Sequence, residues 1–253
     1  MIFDTHAHYD DEQFNPDREE LLLSMKDGGV GTIMNVSASF ESCRKVLDLA
    51  HQYPFLYAAI GVHPDHVGEL DDEKVLKMQE LLLDEKALAV GEIGLDYYWK
   101  EESEEIQKKW FIRQLELAKD MDLPVIIHSR DAAYDTLEIM KEYGKDLSGV
   151  IHCFSYSLEI AMQYVKMGYY IGIGGVVTFK NGRKLKEVAK AVPLSSIVLE
   201  TDCPYLAPVP NRGKRNNSLN LTFVAEEIAS IKGISVNEVI EETEKNARNL
   251  YRL

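Results

Sequence analysis

The chain has 253 residues, 45% of them hydrophobic, which is enough to bury a sizeable core in one domain or two. Lys and Arg number 28 against 42 Asp and Glu, so the formal net charge of −14 excludes a uniformly basic surface for nucleic acid, and any such substrate needs local basic residues or metal ions. Three scattered cysteines (Cys43, Cys153, Cys203), no apolar run of about 18 residues and no basic leader ahead of an apolar stretch exclude a disulfide framework and a membrane span, so a cytoplasmic protein is expected.

The first apolar run, Ile2–Thr5, leads directly into His6 and His8. Asp17–Lys26 follows with helical spacing, placing Leu21, Leu22 and Met25 on one face. Strand-like runs then recur at Thr32–Val36, Leu56–Val62, Ala87–Val90, Val125–Ile127, Val150–Ile151, Tyr169–Ile173 and Ile197–Leu199. Charge-rich helical segments lie between them. In Glu104–Met121, for instance, Trp110, Phe111, Leu115, Leu117 and Ala118 share a face. Strands alternating with helices imply a parallel sheet. Eight such units in a chain of this length predict one α/β domain over residues 1–253, a single (β/α)8 TIM barrel. An open dinucleotide-binding sheet would want GxGxxG after the first strand, where this chain has Asp4-Thr5-His6-Ala7-His8. Two extra C-terminal helices are predicted, from about Ser218 to Ile231 and from Ser235 to Tyr251, the second opened by a Ser235/Glu238 capping box.

Histidines and acids fall where the strands end. His6 and His8 end the first strand, Glu92 the fourth, His128 the fifth, His152 the sixth and Asp202 the eighth. Barrel enzymes gather their reactive groups at the C-terminal strand ends, so these six side chains converge on one mouth. His6 and His8, two residues apart on a strand, point the same way and can grip one cation. A lone buried histidine is ordinarily a hydrogen-bonded core residue, but six ligand-type side chains at matching strand ends read as a metal site. Four histidines and two carboxylates suit Zn, Mn, Fe or Ni more than Ca. The set exceeds one tetrahedral ion and fits two divalent ions (Zn, Mg or Mn) about 3.5–4 Å apart, bridged by a carboxylate. His51, at a helix end before Pro54, is expected to be solvated or capping.

The segments Phe3-Asp4-Thr5-His6-Ala7-His8, Gly61-Val62-His63-Pro64 and Gly91-Glu92-Ile93-Gly94-Leu95-Asp96-Tyr97 resemble the TatD family of metal-dependent deoxyribonucleases, within the amidohydrolase-like barrels. So do His128-Ser129-Arg130-Asp131-Ala132, His152-Cys153-Phe154-Ser155, Glu200-Thr201-Asp202-Cys203-Pro204-Tyr205 and the closing Asn246…Leu250-Tyr251. The resemblance spans nearly the whole chain. It implies one ion on His6, His8, Glu92 and Asp202 and a second on Glu92, His128 and His152. Many related amidohydrolases carry a bridging Lys at the Glu92 position. Its absence favours the nuclease branch.

The implied activity is cleavage of DNA phosphodiesters, 3′-to-5′, on single strands or 3′ ends, by water that the metals activate. Asp202, Glu92 and His63 would be the catalytic residues, with Asp202 taking the water's proton and His63 donating to a phosphate or orienting the leaving group. Arg130, Arg212, Lys214 and Arg215 are candidate substrate contacts, as are Lys180, Arg183 and Lys184 after the seventh strand. Tyr97, Tyr98 and Trp99 could stack on bases, although packing of their own loop is the plainer expectation. Glu200 is expected to orient a ligand, and His66 has no assigned role. Where the family often has Asn, an acid and Pro after the basic loop, this chain has Asn216-Asn217-Ser218. Two rival readings keep the same barrel: deacylation of D-aminoacyl-tRNA, and binding of metal or nucleic acid without catalysis. No membrane or obligate protein partner is expected.

Overall fold

The computed structural model describes residues 1–253. Its strands are β1 (Ile2–Ala7), β2 (Val30–Val36), β3 (Leu56–Ile60), β4 (Ala87–Asp96), β5 (Val125–Arg130), β6 (Gly149–Ile151), β7 (Tyr170–Ile173) and β8 (Ile197–Leu199). They form one sheet in the order β1 to β8, and every neighbouring pair is parallel. The helices α1 (Arg18–Ser24), α2 (Phe40–Gln52), α3 (Asp72–Leu81), α4 (Glu104–Asp120), α5 (Ala133–Tyr143), α6 (Leu158–Lys166) and α7 (Arg183–Ala191) alternate with the strands. Two more, α8 (Leu221–Lys232) and α9 (Val236–Tyr251), follow β8. This is the (β/α)8 barrel with additional C-terminal helices that the alternation predicts.

Closure of the ring is thin. One parallel bridge, Ala7 with Cys203, joins the first and last strands. His8 N–H donates to Cys203 O at 2.9 Å, and Asp202 N–H donates to His6 O at 2.9 Å. No helix is long and apolar enough to cross a membrane, and the three cysteines are unpaired.

Four of the helices start where a side chain accepts from a free N–H group. Ser39 caps α2, Asp71 caps α3 and Ser103 caps α4. Ser235 Oγ accepts from Glu238 N–H at 3.2 Å, but no reciprocal bond from Glu238 forms, so only half of the expected capping box is present. The predicted inner face of α4 is the buried one, with Trp110, Phe111, Leu115, Leu117 and Ala118 all against the barrel. Two buried glutamines on this helix act as substitute strand partners. Gln114 bonds both backbone groups of Val62 at 2.8 and 3.0 Å, and Gln107 does the same for Asp96 at 2.8 and 2.8 Å.

Apolar packing falls into two layers. The outer one fills the space between strands and helices. The inner one, lining the barrel, holds Phe3, Met34, Val36, Ala59, Ala89, Ile126, Val150 and Val198 with Ala247, Leu250 and Tyr251 of α9. α9 therefore plugs the end of the barrel where the strands begin. Asn246 Nδ2 donates to Leu194 O and Ile197 O at 2.8 Å each, and the Tyr251 hydroxyl donates to Thr5 O at 3.1 Å.

Two strands change parity on the way up. In β5, β6 and β8 the inner face runs with period two, from Ile126 to His128, Val150 to His152, and Val198 through Glu200 towards Asp202. In β4 the inner residue is Ala89, yet Val90, Ile93 and Leu95 all pack outside, so Glu92 and Asp96 face inward. The switch coincides with a register shift between Val90 and Ile93. β1 has a matching shift between Asp4 and Ala7. Irregularities of this kind re-aim side chains next to active sites. They also correct the expected boundary. β4 does not stop at Val90 but continues to Asp96, and Glu92 lies inside it. His128 likewise lies inside β5, two residues before its end.

Candidate metal centre

The six residues singled out at the strand ends do meet. His6 Nε2 and His8 Nε2 are 3.1 Å apart. Glu92 Oε2 faces them at 3.4 and 3.8 Å. Glu92 Oε1 points the other way, 2.7 Å from His128 Nδ1, 3.3 Å from His152 Nε2 and 3.9 Å from His63 Nε2. Asp202 Oδ1 sits 3.5 Å from His8, 3.8 Å from His6 and 3.9 Å from His152. His6, Glu92 and His152 are buried, while His8, His128 and Asp202 open partly to a cleft of 770 Å³.

Three of the histidines, His8, His128 and His152, are held from behind, which fixes the atom each turns to the centre, while the buried Nδ1 of His6 has no hydrogen-bond partner. His8 Nδ1–H donates to Val36 O at 2.8 Å, so its Nε2 carries the free lone pair. His152 Nδ1 is 3.2 Å from Glu200 Oε2, and Cys153 N–H donates to Glu200 Oε1 at 2.5 Å. Glu200 thus orients His152, as its position two residues before Asp202 implied. Its carboxylate fits only because residue 172 is glycine, since a Cβ there would collide with the Glu200 oxygens. His128 Nε2 pairs with Asp96 Oδ2 at 3.0 Å. Asp202 and Cys153 both adopt left-handed backbone, at φ 56 and 45, a conformation that non-glycine residues take sparingly and mostly at functional sites.

Sequence reasoning missed Asp96 and Asp4. Asp4 is fully buried beneath the histidines. Its Oδ1 accepts from His6 N–H at 3.3 Å and Thr201 N–H at 3.0 Å, its Oδ2 from Thr201 Oγ1 at 2.7 Å and Ser218 Oγ at 2.6 Å. Burial raises its carboxyl to about 7 against these donors. Asp4 ties β1 to the segment carrying Asp202. Both acids stood inside the family-like segments, and Asp96 falls at even spacing from Glu92, the same-face signal that paired His6 with His8.

The electrostatics are those of a donor set built around positive charge. Burial pushes the Glu92 carboxyl up, but the charges of His152 and His6 and the hydrogen bonds from His128 and His6 hold it well below the usual carboxylate range. Asp202 is likewise lowered against burial, by His8, His152 and His6. Burial opposes charge on His8, His128 and His152, yet the surrounding carboxylates lift each to about 9. His63 goes the other way, down to about 3, through burial and the nearby His128. It is therefore neutral. Its Nδ1 accepts from Asp65 N–H at 3.2 Å, which leaves the proton on the Nε2 that faces Glu92.

The residues are of a kind and spacing that can hold divalent metal. With metal–nitrogen bonds of about 2.0–2.1 Å, two nitrogens on one ion stand about 3.0–3.4 Å apart, as His6 and His8 do. Glu92 Oε2 faces His6 and His8 and its Oε1 faces His128 and His152, and close ligand-type groupings are His6, His8 and Glu92; His6, His152 and Asp202; and His63, Glu92 and His128.

Of the other candidates, Arg130 lies on the cleft with its guanidinium 3.9 Å from the Tyr98 ring and pairs with neither Asp131 nor Glu92. Arg215 is turned away from it. The fork of Arg215 binds Asp17 at 2.6 and 2.8 Å and lies over Phe14, so its donors are occupied. Arg212 rests on Phe179 at 4.3 Å, and Lys214, Lys180, Arg183 and Lys184 are exposed outside the cleft. The Tyr97 hydroxyl donates to Asp135 at 2.8 Å and packs its loop, whereas Tyr98 and Trp99 are more than half exposed. His66 is exposed at the rim of the cleft. His51 pairs with Asp84 at 2.9 Å, far from the centre in role.

Comparison with known proteins agrees with this geometry. The family model described as TatD related DNase matches residues 3–252. The metal-dependent hydrolase YabD of Bacillus subtilis is 42% identical over 254 residues, which cover 100% of both chains. Human deoxyribonuclease TATDN3 is 34% identical over 263 residues, covering 99% of this chain and 94% of that one. The crystal structure of YjjV, a TatD homologue from Escherichia coli, superposes with a TM-score of 0.91 at 32% identity, covering 100% of this chain and 98% of that chain.

Proposed function

The chain belongs to the TatD-related DNase family of metal-dependent hydrolases, and from that footing we propose that it hydrolyses phosphodiester bonds of DNA from 3′ ends, with two divalent ions gathered around Glu92. The observation that carries the reading is the division of Glu92, one oxygen towards His6 and His8 and the other towards His128 and His152. His6, His8, Glu92 and Asp202 would hold one ion, and Glu92, His128 and His152 the other. Bound there, Zn, Mg or Mn would make hydroxide available near neutral pH and offset the charge that builds on the phosphate.

The protein groups supply the rest. Asp202 is ionised and faces the cleft, so it is placed to accept the proton of the attacking water. His63 is neutral with its proton on Nε2, a fixed donor for a phosphate oxygen or the departing oxygen. Asp65 sets that tautomer through its backbone N–H, and Gln114 anchors the preceding Val62. Arg130 is the basic side chain on the cleft and the expected phosphate contact, with the exposed Arg212 and Lys214 as further candidates outside it.

The test is hydrolysis of a 5′-labelled single strand after chelation and readdition of Mg, Mn or Zn. A ladder shortening from the 3′ end is expected with metal and none without it. Release of product only from D-aminoacyl-tRNA, with DNA intact, would overturn the nuclease reading.

A further inference from the structure

Beside the metal centre stands a group of side chains that packing does not account for. Tyr98 is 53% exposed and Trp99 57%, and their rings meet edge to face at 5.0 Å. The Arg130 guanidinium lies over this pair, 3.9 Å from the Tyr98 centroid and 5.6 Å from that of Trp99. No carboxylate comes within ion-pairing distance of Arg130, in a chain whose acids outnumber its bases by 42 to 28. Trp99 and Arg130 both open onto the cleft that contains Glu92 and Asp202.

The group is also fixed in place relative to the centre. Asp96 Oδ1 accepts from the backbone N–H groups of Tyr98 and Trp99, at 2.8 and 3.1 Å. The other oxygen of the same carboxylate holds His128 at 3.0 Å. Arg130 is the strand partner of Asp96 in the β4–β5 ladder, and Tyr97 N–H donates to Arg130 O at 2.9 Å. One carboxylate therefore sets the distance between the rings and a nitrogen of the centre.

Exposed ring surface beside a guanidinium with no carboxylate partner offers apolar area that a flat group can cover while an anion meets the cation. A nucleobase has that shape, and its phosphate complements the cation. Resting on the phosphodiesterase reading above, we propose that Tyr98, Trp99 and Arg130 form a stacking seat for one unpaired nucleobase of the strand being cut. Stacking uses the ring face common to every base, so the seat is indifferent to sequence. It does require that face to be free, which a base inside a duplex does not offer. The enzyme then prefers single strands and frayed ends.

Trp99 reports on the seat directly, because the only other tryptophan, Trp110, is 6% exposed within α4. With metal chelated, octathymidylate is titrated into the full-length protein and tryptophan emission followed. Quenching is expected, lost in Trp99→Phe and absent with ribose 5-phosphate. Tyr98→Ala is expected to raise the octathymidylate Kd about fivefold or more. In the metal-loaded enzyme, Tyr98→Ala is expected to raise KM for a single-stranded oligonucleotide by a similar factor. That loss should exceed its loss on methyl para-nitrophenyl phosphate, which has no base. Equal quenching by ribose 5-phosphate, quenching that survives Trp99→Phe, or an unchanged Kd in Tyr98→Ala would each overturn the seat. If octathymidylate binds at Trp99 but no metal supports DNA cleavage, the nuclease reading fails and the seat stands. If DNA is cut with parameters indifferent to Tyr98 and Trp99, the reverse holds.

Discussion

Replacing Glu92 by Ala would remove the carboxylate that faces both His6 with His8 and His128, leaving Asp202 beside His6, His8 and His152 alone. Glu92→Ala is expected to lose metal and to fall below detectable hydrolysis, read by metal content per chain and by product release. Glu200 touches His152 and not the centre itself, so Glu200→Gln should keep both ligand groups and weaken metal affinity by about 10–100-fold. Equal collapse of both variants would place Glu200 inside the centre. The supporting place of Glu200 was legible beforehand, because it stands two residues before Asp202 after one apolar run and so shares its face. Asp4 and Asp96 were not, since a buried acid with only hydrogen-bond donors around it looks, in a sequence, like any other acid. Their meaning comes from what folds over them: Ser218 and Thr201 for Asp4, and His128 for Asp96.

Elements show a similar division. The repeat of eight apolar runs was readable because barrel strands are buried on both faces and read as unbroken hydrophobic stretches. The upper half of β4 was not, because Gly91 and Gly94 weaken a strand signal and mark close approach or irregularity instead. At Gly94, with φ 149, a Cβ would strike the backbone of His128. The parity switches in β1 and β4 likewise leave no periodic trace, since they consist in breaking the period. Among the helices, α9 contributes stability rather than chemistry. Tyr251 is buried against Phe3, with ring centroids 5.6 Å apart. Tyr251→Ala should therefore cost about 3–5 kcal/mol, the range for removing a large buried ring. Urea unfolding checks this, and a midpoint shift under about 1 kcal/mol equivalent would mean that α9 does not carry the barrel floor.

At the scale of the molecule, charge governs how substrate and metal arrive. Few cations are available to the strand, with Arg130 on the cleft and Arg212 and Lys214 beyond it. Log Kd for single-stranded DNA against log salt should thus have a slope no steeper than about 2, from roughly 0.7 per phosphate contact. A much steeper slope would reveal a basic surface elsewhere. Metal entry must displace protons, because His8, His128 and His152 stay protonated up to about 9 while ligation requires neutral imidazole. Affinity should rise as pH is raised from 6 towards 9. Calorimetry in buffers of different ionisation heat should register protons released, and release of none would contradict the assigned ligands. The seam between β1 and β8 bears on the protein's making. His6 and His8 leave the ribosome early and Asp202 late, and the single Ala7–Cys203 bridge that joins them forms only when the last strand arrives. A domain folds as a unit, so this one closes only once its last strand is available. Until the segment after β8 emerges, it has an open ring and lacks Asp202 beside His6 and His8, so the groups at the mouth come together only in a nearly finished chain.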